Sequence, residues 1–79
     1  MEIEQIWQLE DEIRAVVDAN LGGHVWSLNY DEACGEIRLA LDIHLDDDAI
    51  ENLCAQFFIG ASYIGEGEMG SEFALYPDS

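Results

Sequence analysis

The sequence predicts an α+β fold: a single small two-layer domain, residues 1–79, in the order α-β-β-α-β. Three strands would form a largely antiparallel sheet that carries two helices on one face. Three observations predict this fold. The 79 residues are enough for one domain. Hydrophobic residues make up 49% of the chain, which is too many for a disordered acidic segment. Those residues recur with the helical period in two segments and alternate along others.

The first helix is predicted over residues 3–20. Apolar residues recur there at helical spacing and would form one buried face: Ile3, Ile6, Leu9, Ile13, Val16 and Val17. Two glycines follow Leu21, and glycine readily takes the left-handed conformation that ends many helices.

Two strands are predicted next, over residues 24–30 and 36–44. Trp26, Leu28 and Tyr30 alternate with polar residues in the first strand. The second strand alternates in the same way and would bury Ile37, Leu39, Leu41 and Ile43. Because the intervening segment 31–35 is turn-like, the two strands are expected to form a hairpin.

The second helix is predicted to open at Asp46, Asp47 and Asp48, and Asp48 has capping-box spacing to Glu51. The helical period continues to residue 64, but Gly60 interrupts it, so the helix either continues to that point or ends near residue 58. In a helix that continued, Ile59 and Tyr63 would be exposed. They indicate either an interaction patch or an earlier helix end with an extended piece after it. A loop over 66–70 and a last strand over 72–76 complete the fold.

The charge of the chain is its most unusual property. Eighteen acidic residues face two basic ones, Arg14 and Arg38, with no lysine, and the formal net charge is -16. Ordinary surfaces intersperse both signs, and self-repulsion destabilises a compact state. The imbalance therefore predicts a basic, Lys/Arg-rich protein partner and argues against direct binding to nucleic acid or to an anionic membrane. The acidic N-terminus and the lack of a bilayer-length apolar run predict a cytoplasmic protein.

The acidic residues fall into three groups. Glu4, Asp11 and Asp18 repeat every seven residues and would form an acidic stripe on the exposed side of the first helix. Trp7 borders this stripe, either as an aromatic at the edge of the core or as an interface anchor. The other groups are an aspartate cluster around the start of the second helix, formed by Asp42, Asp46, Asp47, Asp48 and Glu51, and a C-terminal cluster of Glu66, Glu68 and Glu72. The predicted partner-binding residues are Glu4, Trp7, Asp11, Asp18, Asp46, Asp47, Asp48, Glu51, Glu66 and Glu68.

No pattern in the chain predicts enzymatic chemistry. Neither Cys34, in a turn, nor Cys54, on an apolar helical face, lies beside an orienting base. Asp42, His44 and Asp46 alternate and could offer metal ligands, but their spacing is not that of a calcium loop. They are interpreted as a solvated strand face followed by helix-start aspartates. The sequence therefore predicts a protein that is not an enzyme, without catalytic residues, metal or cofactor.

The runs Glu10-Asp11-Glu12 and Asp46-Asp47-Asp48, the small size and the near absence of basic residues make the chain resemble small acidic inhibitors encoded by phages, including DNA mimics and anti-CRISPR proteins. The resemblance is one of composition over the whole chain. It implies an inhibitor whose carboxylates replace phosphates in a nucleic-acid channel, most concretely in a CRISPR effector. Two alternatives stay open: an immunity protein or antitoxin that covers a cationic nuclease, and an ordinary acidic domain from a halophile.

Overall fold

The computed structural model describes residues 3–77, and the predicted core position Ile3 lies outside the described side chains. Two helices and four strands alternate as α-β-β-α-β-β over this range. Their bounds are α1 Ile3–Leu21, β1 Val25–Asp31, β2 Glu36–Leu41, α2 Asp47–Gln56, β3 Gly60–Glu66 and β4 Ser71–Tyr76.

The sheet has four strands in the order β1-β2-β4-β3, and every neighbouring pair is antiparallel. The prediction of three strands is therefore wrong, because residues 60–66 form a strand rather than the end of a helix. Phe57 takes an extended conformation, with φ -72° and ψ 141°, and ends α2 after Gln56. Gly60 then begins β3. A glycine at the first position of a strand destabilises the fold less than a glycine in the interior of a helix. Of the two alternatives left open, the earlier helix end is correct.

The place of β4 gives a second physical reason for the fourth strand. Phe73, Ala74 and Leu75 are all fully buried, which is typical of a central strand rather than an edge. β4 pairs with β2 on one side and with β3 on the other, where Ala61 lies opposite Leu75. A three-stranded sheet would have left β4 at an edge with unpaired backbone groups.

The core lies between the helices and one face of the sheet. Ile13 and Val17 of α1 and Leu53 of α2 are buried in the same hydrophobic cluster as the sheet residues. The sheet contributes Leu28, Ile37, Leu39, Leu41, Phe73 and Leu75. Both helices therefore cover the same face, α1 over β1 and α2 over β3.

Within residues 3–77, no helix covers the other face of the sheet. Directly paired residues of antiparallel strands project to the same face. Ser27 lies opposite Ala40, and Ala40 lies opposite Glu72, so these three residues form a row across the uncovered face. Arg38 lies on the same face one step further along β2 and bonds Glu36 at 3.1 Å.

A β-bulge changes the predicted alternation of β1. Leu28 is buried as predicted, but the register shifts between Val25 and Ser27, which makes Trp26 the extra residue of the bulge. Trp26 does not share the core with Leu28, and 59% of its surface is exposed. β2 is also shorter than predicted: it ends at Leu41, so Ile43 lies in the segment that leads to α2.

Candidate functional site

The acidic stripe lies on the outer side of α1. Glu4, Asp11 and Asp18 are all exposed, whereas Ile13 and Val17 on the opposite side of the helix are fully buried. Trp7 is 58% exposed, which leaves its ring free to contact another surface. The heptad spacing of the carboxylates therefore produces a negatively charged stripe along one side of the helix, with Trp7 and the exposed Arg14 at its border.

The aspartate cluster surrounds the start of α2. Asp46 is the N-cap, and its Oδ1 accepts a hydrogen bond of 2.8 Å from the Ala49 backbone N–H. The predicted capping role of Asp48 is wrong, because the helix begins two residues earlier than that spacing implied. Asp47 and Asp48 instead occupy the first turn, where the helix dipole favours negative charge. Their carboxylates and that of Glu51 are exposed.

Glu66 links three parts of the fold at the end of β3. Its carboxylate accepts hydrogen bonds from the Tyr63 hydroxyl and from the Ser71 hydroxyl, the latter at 2.9 Å, and lies 2.6 Å from Nδ1 of His44. The hydrogen bond from Tyr63, followed by that from His44, lowers the pKa of Glu66. The same Tyr63 hydrogen bond raises the pKa of Tyr63 to about 12.

Backbone packing next to Glu66 brings the end of β3 to the segment before α2. Ser71 is fully buried, and its hydroxyl accepts a hydrogen bond of 3.0 Å from the Leu45 N–H. Gly70 lies so close to Ile43 that a Cβ at Gly70 would be 2.3 Å from the Ile43 carbonyl oxygen. The charge of Asp47 contributes to the raised pKa of Tyr63, whose hydroxyl donates its hydrogen bond to Glu66, so Asp47 lies near this pair. Glu66 of the third acidic group therefore lies beside the second group, whereas Glu68 and Glu72 line the uncovered face of the sheet.

The structure separates the three residues that were considered as metal ligands. Asp42 Oδ1 lies 2.8 Å from Nδ1 of His24, His44 contacts Glu66, and Asp46 caps α2. Between residues 3 and 77, no three His, Cys, Asp or Glu side chains come together in a way that could hold a metal ion.

The two cysteines are free thiols, Cys34 exposed and Cys54 half-buried. The pKa of Cys34 is raised, first by the charge of Asp31 and then by a hydrogen bond to the same residue. Burial raises the pKa of Cys54. Because the thiolate is the nucleophilic form, both shifts weaken these residues as nucleophiles.

Sequence reasoning missed a second exposed feature, on the uncovered face of the sheet. Trp26 and Met69 line an open depression of about 310 Å³ there, together with Ser27, Ala40, Glu68 and Glu72. Only Glu68 belonged to the predicted site. The small residues at polar positions of neighbouring strands, Ser27 and Ala40, were a sequence signal for this surface. They became informative only once the strand register had brought them together.

Comparison with protein families, curated proteins and solved structures finds no match to this chain. Neither α1 nor α2, the helices of the described range, is long and apolar enough to cross a membrane.

Proposed function

We propose that this protein is a non-enzymatic inhibitor whose acidic surface binds the basic, nucleic-acid-binding surface of a target protein in the host cytosol. The most concrete target is a CRISPR effector complex whose access to nucleic acid it would block. One observation carries the proposal. All nine predicted carboxylates are exposed, and within residues 3–77 none of them forms an ion pair with an arginine.

The distribution of charge supports a protein partner. The only arginine–carboxylate pair in the described range is Arg38–Glu36, which lies on the sheet face away from the acidic stripe. Exposed carboxylates that are not paired with an arginine can form charge-assisted hydrogen bonds with Arg and Lys of another surface. The net charge of -16 would also accelerate encounter with a cationic partner.

The magnitude of the charge is adequate for nucleic-acid mimicry. Duplex DNA carries one negative charge per roughly 1.7 Å of axis, so 16 charges correspond to about eight base pairs. The acidic stripe and the aspartate cluster, which Glu66 adjoins, supply most of the predicted contacts. A target channel that binds phosphates would meet carboxylates on these two surfaces.

The proposal is tested by capturing partners from host lysate on the immobilised protein and eluting them with salt. Two reversal variants serve as matched probes: Glu4, Asp11 and Asp18 to Lys, and Asp47, Asp48 and Glu51 to Lys. The second set spares Asp46, so that the α2 cap is kept. We expect a nucleic-acid-binding partner that the wild type retains and that at least one folded reversal variant loses. Recovery of the same partner by both folded variants would overturn the proposal, and capture of a toxin nuclease would favour an immunity protein.

A further inference from the structure

The depression on the uncovered sheet face lies above the small side chains of Ser27 and Ala40 and is bordered by larger side chains on two sides. Ser27, Ala40 and Glu72 lie in one row across β1, β2 and β4. Trp26 stands at one side of this row, and the turn that carries Glu68 and Met69 lies at the other. Trp26 is 59% exposed and Met69 is 43% exposed, so both apolar side chains face solvent beside two carboxylates.

The position of the Glu72 carboxylate depends on the turn. A Cβ added to Gly67 would lie 1.8 Å from Oε2 of Glu72, so this carboxylate rests directly against the Gly67 backbone. Gly67 also closes the turn by donating a hydrogen bond of 2.8 Å to the Gly70 carbonyl. The absence of a side chain at Gly67 therefore leaves the space in which the Glu72 carboxylate lies against the turn that carries Glu68.

No cation of the described chain compensates these two carboxylates. Arg38, the basic residue of this sheet face, directs its guanidinium to Glu36 at 3.1 Å. Within residues 3–77, neither Glu68 nor Glu72 takes part in an ion pair. The depression thus combines an exposed indole, a thioether and two uncompensated negative charges.

These four groups are complementary to one kind of occupant, an arginine side chain. Its planar guanidinium stacks on aromatic faces and bonds carboxylates, and its aliphatic stem packs on apolar side chains such as methionine. A lysine ammonium would supply the positive charge for the two carboxylates, but it has no planar group to stack on Trp26. A second copy of this chain is disfavoured as occupant because it would bring further carboxylates against Glu68 and Glu72.

We propose that the Trp26 depression binds a single arginine side chain of the partner protein, with Trp26 as stacking surface and Glu68 and Glu72 as its carboxylate acceptors. This inference rests on the proposed function in that the arginine belongs to the basic target. It adds a specific contact on a second face of the molecule, separate from the electrostatic contacts of α1 and α2.

The test follows the two indole N–H signals of the isotopically labelled protein by NMR during titration with N-acetyl-arginine amide. The neutral isostere N-acetyl-citrulline amide, at matched ionic strength, is the control ligand. Trp7→Phe and Trp26→Phe assign the two signals. We expect saturable shifts of the Trp26 signal with arginine, no comparable shift with citrulline, and little change at Trp7. Equal responses to the two ligands, or no saturable shift at Trp26, would overturn the inference.

A double variant separates the acceptor carboxylates from general electrostatics. Glu68→Gln with Glu72→Gln should weaken the affinity for N-acetyl-arginine amide, measured from the Trp26 signal, about tenfold, because the charged hydrogen bonds are removed. The matched control, Glu12→Gln with Glu32→Gln, removes the same charge at two exposed residues outside the predicted binding set and should leave the affinity within about twofold. Equal losses in both variants would contradict a defined site. If the captured partner still requires the α1 or α2 carboxylates while this test fails, the inference falls and the proposed function stands.

Discussion

Glu66 accepts hydrogen bonds from Tyr63 and Ser71 and lies within hydrogen-bond distance of His44, and it remains exposed. It therefore has two roles in this account: it holds the end of β3 against the segment before α2, and it belongs to the predicted binding surface. A substitution at Glu66 would change the local structure and the surface charge together. The Glu68 side chain, two residues later in the turn, takes part in no ion pair within residues 3–77, so its substitution changes the surface without removing an ion pair of the fold.

The Tyr63–Glu66 pair predicts a defined alkaline titration. The pKa of Tyr63 is raised from 10.0 to about 12, chiefly by its hydrogen bond to Glu66. Because the folded state holds this proton more tightly than the unfolded chain, the bond contributes stability below pH 10.0, and the contribution is lost as pH rises towards 12. Tyrosine absorbance, with Tyr63→Phe identifying the signal, should show the pKa of Tyr63 falling in Glu66→Gln. An unchanged value in Glu66→Gln would contradict the assignment, and Glu68→Gln is the control expected to leave it unchanged.

At acid pH, the stability that Glu66 contributes changes with pH in the opposite direction. The pKa of Glu66 is lowered below 4.5 by the Tyr63 hydrogen bond and then by that of His44. The carboxylate therefore contributes stability above pH 4.5, and that contribution is lost as pH falls through the lowered pKa.

At the scale of elements, the sequence predicted five of the six and missed β3. The segment 57–64 satisfies the helical period through Phe57, Ala61 and Ile64, yet it also fits a strand with Tyr63 opposite Phe73. Local periodicity cannot separate these readings. The segment forms a strand because the buried backbone of β4 needs a hydrogen-bonding neighbour on each side. That requirement involves contacts distant in sequence, which a local pattern does not contain.

Capping of α2 gives a prediction at this scale. Asp46→Ala removes the acceptor for the Ala49 N–H and should lower the free energy of unfolding by about 1 kcal/mol, within a range of roughly 0.5–2 kcal/mol. Asp46→Asn keeps a capping oxygen and removes the charge, so it should cost much less. Urea unfolding of the two variants measures the difference. Equal destabilisation by both would show that charge rather than the capping hydrogen bond is what α2 requires.

For the whole molecule, the sequence predicted which carboxylates would be exposed but not how they would be grouped. The heptad of Glu4, Asp11 and Asp18 follows from helix geometry alone. The joining of the aspartate cluster to Glu66 depends on the packing of Gly70 against Ile43, and the Trp26 depression depends on a β-bulge and on strand order. These are properties of the assembled sheet, so no single segment indicated them.

The excess of negative charge predicts stabilisation by salt. Exposed like charges are screened beyond a distance of about 10 Å at 0.1 M salt. The melting temperature should therefore rise from low to moderate NaCl, as followed by circular dichroism. Neutralising Glu4, Asp11 and Asp18 to their amides should reduce that rise. A flat or falling curve would mean that repulsion does not limit the stability of this fold.

The most direct test of the central claim is competition between this protein and nucleic acid for the captured partner, measured across a range of salt concentrations. We predict that the two displace each other, that affinity falls steeply as salt rises, and that the Asp47, Asp48 and Glu51 reversal abolishes displacement in a folded variant. Displacement and salt dependence are expected because the carboxylates and the phosphates are attracted to the same cationic surface. The reversal should abolish displacement because the introduced lysines would make like-charge contacts with that surface, which cost several kcal/mol. Simultaneous binding of protein and nucleic acid with no dependence on salt would contradict the account.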